Sequence, residues 1–540
     1  MNSPTYTVAS ESYILEESNA CKRQLDIFKI AVDNKILWSL KMLDSSGQPK
    51  PGFIYGNNFW LGSETQCNDL SNRKDFDISP GNIKNNSIYR NINEEYPPFK
   101  VNYFAAQFRH NSTIQYHMGL PNDDIMIMGL CLPDICTTKE LSELITKIFK
   151  DRLLAVNNLY NADYELLNVK NLKDNYDYLF KWNNITVIVI IMLTVVMMIV
   201  GTVYDVTVYQ KILENSVHVI HGLKFFAMFW IIMNHTVLFA KDYIGLLSPS
   251  YFMSMAILPM IYSHFDNTSV FYMSERPQDT CDKYLWRNFL FINNLFTRNE
   301  SCATWSWYVS NDMQFYLIGT ILIVSSVTYF YICSAVWIIL MAMTIFASGY
   351  ISYMIEYTPT MDIQWATQDY LYDPPWMRIG PYLIGIAAGY IFAKIQRKWK
   401  ANKIKVWIVW MLALLAIVGT LFSLHDKKLS VLYLAFYNGF SRSVYGIGIA
   451  LIIIACETGH GGFLNSILSC KFLLPLSRLT YCAYLLNPMI INVIYLGNES
   501  SVHMNFLLNF ITFLGILITS FIGAFVLSVM FEIPYISIFK

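Results

Sequence analysis

The chain reads as an all-α polytopic membrane protein of about 9–10 transmembrane helices, with a disulfide-containing, mainly helical extracytoplasmic amino-terminal domain. Three observations predict this. Of 540 residues, 54% are hydrophobic and only 14% charged, against about 25% charged in an ordinary soluble protein. The apolar residues gather into long runs after residue 183, while the earlier sequence is rich in charge, Asn, Asp and Pro. Cysteines and glycosylation sequons lie largely outside those runs. Thirty-nine basic residues balance thirty-nine acidic ones, which leaves no net field for nucleic acid. Membrane lipids are the expected surroundings, and no nucleic-acid partner is expected.

A boundary therefore falls after residue 183, with domains at 1–183 and 184–540. Residues 1–21 lack the apolar stretch of about 7–15 residues that a secretory signal needs. Against a cytosolic placement stand Cys21, Cys67, Cys131 and Cys136, with sequons at Asn85 and Asn111. Cys131 and Cys136 do not have CxxC spacing and no His stands nearby, so a disulfide framework in an oxidising lumen is expected rather than a metal site. The connectivity stays open.

Candidate spans lie at about 185–206, 218–240, 313–332, 334–355, 377–394, 405–424, 434–457, 475–495 and 505–530. Lys394, Arg397, Lys398, Lys400, Lys403 and Lys405 share one short joint, which the positive-inside rule assigns to the cytoplasm. Counting from that joint puts the sequons at Asn267, Asn299 and Asn498 in the lumen, together with Cys281 and Cys302, which are expected to pair. The amino-terminal domain follows them there. The expectation is an integral membrane glycoprotein of the plasma membrane or endoplasmic reticulum. The apolar run Met253–Tyr262 is short and holds Pro259; it is expected to be re-entrant or interfacial, or to have lost a partner helix from this chain.

The second span holds Lys224, Asn234 and His235. A central Lys costs about 2.5–3.5 kcal/mol on insertion scales, and polar groups at that depth point to function. Lys224 and His235 are eleven residues apart, hence about 20° from one face and about 16 Å along the axis. Lys224 would lie toward the cytosol and His235 toward the lumen. A neutral imidazole is suited to take a proton from a hydroxyl, while Lys224 would meet an anionic donor.

Several motifs carry a family resemblance. They are Trp38 to Asp44, Gly56-Asn57, Leu61-Gly62 with Cys67, and Gly129-Leu-Cys131 with Cys136. Next come His221-Gly-Leu-Lys224 through His235, Trp286 to Asn294, and Trp305-Ser-Trp-Tyr308 after Cys302. Asp312 to Tyr316, Arg378 to Tyr382, and Leu476 to Leu486 complete the set. From about residue 21 to the carboxyl terminus the chain resembles the acyltransferase 3 superfamily, in the animal branch called nose resistant to fluoxetine (NRF). The resemblance implies an NRF-type cysteine-containing domain and a multi-span bundle. It also implies transfer of an acyl group from a cytosolic thioester, acyl-CoA, to a lumenal hydroxyl acceptor, or a role with lipophilic cargo in lipid transport. The basic residue and His of the family pattern fall on Lys224 and His235. Three departures stand out. A further span and an Arg-x-x-Arg loop expected between Lys241 and Tyr251 are missing, the joint between the first two spans is short, and Asn487 replaces a late His. A segment lost from this chain would explain the first.

Asp312 and Gln314 are expected to open a span at its lumenal end, Asp312 orienting His235. Asn234, Gln314, Arg378 and Arg478 are candidate substrate or donor contacts. Arg442 and Arg478 lie near the ends of apolar runs. Gly385 and Gly389 form a small-residue face suited to close helix packing, and Gly459-His-Gly-Gly462 a tight joint. No metal-ligand cluster and no bound cofactor are expected, with acyl-CoA as a co-substrate.

Overall fold

The computed structural model describes residues 3–72, 94–117, 119, 122–151, 162–204, 248–395, 402–425, 429–468, 470, 473–500 and 505–534. The chain forms two compact units. One comprises Met1–Leu179, Ile261–Glu275 and Ile491–Thr512; the other comprises Phe180–Met260, Arg276–Ile490 and Phe513–Lys540.

In the first unit, helices α1 (Pro4–Ser10), α2 (Ala20–Asp33), α3 (Leu37–Asp44), α4 (Glu64–Asn72) and α5 (Thr138–Lys150) surround a four-stranded sheet. Its strands are β1 (Phe59–Trp60), β2 (Val101–His110), β3 (Ile125–Pro133) and β4 (Tyr164–Lys170), in the order β1-β3-β2-β4. β1 runs parallel to β3, and β2 is antiparallel to both neighbours. The region is mainly helical as expected; the sheet is an addition that the sequence reading did not foresee. β3 is buried along its whole length and β2 at all but Arg109, so neither shows the alternation of a half-exposed strand. Asn19 caps α2, accepting from the Cys21 amide at 2.7 Å. Thr137 and Glu140 cap α5 reciprocally. Gly129 is required in β3, since a Cβ there would stand 2.1 Å from the Leu61 carbonyl oxygen.

Two disulfides close this unit. Cys21 pairs with Cys136 and Cys67 with Cys131, which resolves the connectivity left open above. The first ties the start of α2 to the turn before α5, and the second ties α4 to β3.

The second unit is helical. After α6 (Trp182–Tyr204) come α7 (Ser248–Thr268, whose last turns belong to the first unit), α8 (Pro277–Phe289), α9 (Trp307–Ser326) and α10 (Phe330–Met354). They are followed by α11 (Met361–Ala366), α12 (Ile379–Ile395), α13 (Lys403–Phe422), α14 (Val431–Ala455), α15 (Gly462–Leu468), α16 (Leu473–Leu496) and α17 (Phe506–Phe531). Among the described residues six helices are long and apolar enough to cross a bilayer, in α6, α10, α13, α14 with its π-turn, α16 and α17; α12 is a shorter apolar helix. The chain is an integral membrane protein. The expected span 218–240 lies outside the described residues.

Three expectations change in detail. The boundary expected near 333 falls at 327–329, where β-branched Val327 and Thr328 and aromatic Tyr329 follow one another and lower helix preference. The short apolar run at Met253–Tyr262 is the middle of a 21-residue helix containing Pro259, extended by polar residues such as Ser248, Ser250, His264 and Asn267. Gly385 and Gly389 do not meet another helix, because a Cβ at either would touch nothing within 4 Å. Both instead line an apolar groove of about 470 Å³ between α12 and α14, with Pro381, Ala388, Gly446 and Ala450. The joint after α14 is tight as expected, with Gly459 at a left-handed φ of 82°.

Candidate active site

Polar side chains in the second unit turn inward while their apolar neighbours face out. Phe289 and Leu290 are exposed, whereas Asn288, Asn293 and Asn294 are buried. This inversion suits a protein whose surroundings are apolar. Asn288, 0% exposed, donates to Tyr251 Oη at 2.8 Å and Ser306 Oγ at 2.9 Å. Asn293 donates to the same Ser306 Oγ at 2.9 Å and accepts from Ser310. Asn294 donates to Asn311 Oδ1 at 2.7 Å and Gln314 Oε1 at 3.0 Å. Gln314 answers through Nε2 to Asn294 Oδ1 at 2.9 Å and the Phe291 carbonyl at 2.8 Å. The Cys281–Cys302 disulfide, paired as expected, fastens the same segment to α8.

Asn311 carries the network onward, donating to the Asp373 carbonyl at 2.8 Å. The Asp373 carboxylate takes both arms of Arg298, at 2.9 and 3.0 Å, a bidentate pairing. Burial pushes this carboxyl up, against the Arg298 bonds that favour its charge. Arg378 donates through Nε to the Tyr372 carbonyl at 2.8 Å. Its guanidinium lies over the Tyr372 ring at 3.8 Å and the Trp307 ring at 5.2 Å. Its Nη2 is buried without a hydrogen-bond partner among the described residues. Tyr484 donates to the Trp305 carbonyl and its ring meets Tyr308 at 5.4 Å. These groups form one continuous polar and aromatic cluster at the starts of α9 and α12.

Asp312 lies in the second turn of α9, half-buried, within electrostatic reach of Tyr308 and Tyr382. It does not open the helix, which begins five residues earlier at Trp307 because the 3-10 turn Thr304–Ser306 runs straight into it. Gln314 is engaged in the clasp just described. Arg378 is in the cluster, and Arg478 is exposed on α16, apart from it. Lys224, Asn234 and His235 lie outside the described residues. Of the sequons, Asn85 also lies outside, Asn111, Asn299 and Asn498 are exposed, and Asn267 donates to Asp174 at 3.4 Å.

Two family models match the chain. The one described as the nose resistant-to-fluoxetine protein, N-terminal domain, covers residues 21–145. The one described as an acyltransferase domain covers residues 261–529, the region that holds the buried cluster. The chain thus joins a nose-resistant-to-fluoxetine domain to an acyltransferase domain, the combination the resemblance implies. It is similar to nose resistant to fluoxetine protein 6 of Caenorhabditis elegans, at 22% identity over 643 aligned positions covering 92% of this chain and 77% of the relative. That alignment is longer than the chain itself, so the relative carries residues with no counterpart here. No solved structure matches.

One functional candidate was not legible in the sequence. Arg442 is not at the end of an apolar run but near the middle of the 25-residue α14. It donates to the Met377 and Leu371 carbonyls, each at 2.9 Å, and so fixes the turns that carry Asp373 and Arg378. An arginine inside a long, mainly apolar run was the available signal. Its partners, more than sixty residues away, could not be read.

Proposed function

We propose that this acyltransferase-like membrane protein moves an acyl group from acyl-CoA on the cytoplasmic side to a hydroxyl of a lumenal lipid or small-molecule acceptor. The observation that carries the reading is the acyltransferase-domain match over residues 261–529, which encloses the polar cluster of Asn288, Asp373 and Arg378 and the half-buried Asp312. His235 takes the proton from the acceptor hydroxyl, and the oxygen attacks the thioester carbonyl. The C–S bond breaks, and the thiol leaves with a proton. Lys224 meets the anionic donor, Asp312 orients the base, and Arg378 with its unpaired Nη2 meets the acceptor. The apolar groove beside Gly385 and Gly389, at about 470 Å³, supports the reading because it offers an acyl chain room in the bilayer. The amino-terminal domain is lumenal and glycosylated in this reading.

A second reading, lipid or drug transport without catalysis, is favoured by one observation. Asn487, where the family pattern expects a second His, donates to Ser520 Oγ at 3.2 Å and so serves to join helices. The two separate on His235→Ala. Transfer of labelled acyl groups in membranes is expected to vanish with expression intact; uptake of a lipophilic probe that survives while no transfer is seen in the wild type would establish the second reading.

A further inference from the structure

We propose that two ties hold segments remote in sequence within the first unit, one at the end of α7 built on a fixed carboxylate and one at the joint after α16 that tightens in acid. The reading is independent of acyl transfer.

The first contact centres on Asp174, in the joint between β4 and α6. Its side chain is 5% exposed, and four donors converge on its carboxylate. They are the Tyr176 amide at 2.9 Å, the Tyr178 hydroxyl at 3.3 Å, Asn267 Nδ2 at 3.4 Å and His264 Nδ1 at 2.6 Å. Burial alone would push this carboxyl up; the bonds from Tyr176, His264 and Asn267 outweigh it and hold the group below its ordinary value of 3.8. Asp174 is therefore ionised at neutral pH, and its share of stability is lost only in strong acid, as pH falls through its lowered value. His264 is 39% exposed. The other charged groups here, Lys170 and Asp266, pair with each other at 3.3 Å.

The second contact is at the start of α4. The Glu499 carboxylate, from the joint after α16, accepts from the Thr65 amide at 3.1 Å and from the Thr65 hydroxyl, an anion at a helix amino terminus. Beside it stands Glu64. Burial, and then the Glu499 charge, push the Glu64 carboxyl up to about 7, with Asn68 opposing. The groups facing Glu64 are thus Glu499, Asn68 and the buried Tyr103. Below that value Glu64 is neutral and Glu499 caps α4 undisturbed. Above it, two carboxylates share one helix end. The sign follows from the raised value: the fold favours the protonated form, and that contribution fades as pH climbs from 4.5 through about 7.

Amide exchange of the full-length protein in nanodiscs, corrected for intrinsic rates, tests this at pH 6 and pH 8. Exchange of residues 491–500 is expected to be about tenfold faster at pH 8, since one proton's difference changes an equilibrium up to about tenfold per pH unit. Glu64→Gln should remove that dependence. Thr65→Ala should give the fast rate at both values, and Asp174→Asn should speed exchange of residues 171–178 at both values alike. If Glu64→Gln does not fold, Glu499→Gln removes the same repulsion and must flatten the profile too. Corrected wild-type rates that agree at both values would overturn the proposal, as would a dependence that survives all the charge-removing variants.

Discussion

Replacing Cys21 and Cys136 together by serine is expected to cost the amino-terminal domain up to about 5 kcal/mol and to prevent it from holding its fold at 37 °C. The bond spans a sequence separation of 115, and the chain-entropy account scales with the logarithm of that loop. Domains of this kind are stable by only about 5–15 kcal/mol, so the loss is comparable to the total. The Cys67–Cys131 pair, with a separation of 64, should weigh slightly less, about 4 kcal/mol. Neither pair is peripheral, since all four cysteines are buried in the core with Leu25, Tyr103 and Leu130. Limited proteolysis of the full-length protein in membranes reads the outcome. The serine pair should make residues 20–150 cleavable under conditions where the wild type resists, and equal resistance would contradict the assignment.

Arg442→Met is expected to unsettle the membrane unit most. Methionine removes the cost of burying a charge, and by itself that would stabilise. The two carbonyls it abandons decide the sign. Leu371 and Met377 are buried, and an orphaned buried acceptor costs about 1–3 kcal/mol. The turns that present Asp373 and Arg378 lose their tie to α14 at the same time. Thermal unfolding in detergent should fall by roughly 2–10 °C. Arg442→Lys should recover only part of this, because an ammonium lacks the planar fork that reaches both carbonyls at once. A midpoint unchanged in Arg442→Met would show that the two bonds contribute nothing net.

What the residues revealed in advance follows from which forces act locally. Helices α6, α10, α13, α14, α16 and α17 end within a few residues of the expected spans, because crossing a bilayer demands a long apolar run whatever its neighbours. The sheet demanded no such local mark. β3 is apolar throughout, and β2 is buried along nearly all its length with Asn102, Gln107, Arg109 and His110 breaking any alternation; runs of that kind read equally well as helix. The pairing of Cys281 with Cys302 followed from proximity in sequence, whereas Cys21 with Cys136 awaited the fold that brings α2 beside β3. In the candidate site Arg378 and Asp312 were visible as polar residues next to apolar runs. Arg298 holding Asp373, and the chain from Asn288 to Gln314, depend on contacts between separate helices. Composition is silent about such contacts.

The acyl-transfer reading meets its most direct test in sealed vesicles that hold the full-length protein and receive labelled acyl-CoA on their cytoplasmic face. The initial rate of label transfer to the hydroxyl acceptor is compared for wild type and His235→Gln at equal protein. Glutamine keeps a hydrogen-bonding side chain but cannot take up the proton, so the rate should fall by about a hundredfold or more. A glutamine variant that transfers label as fast as the wild type would contradict the account.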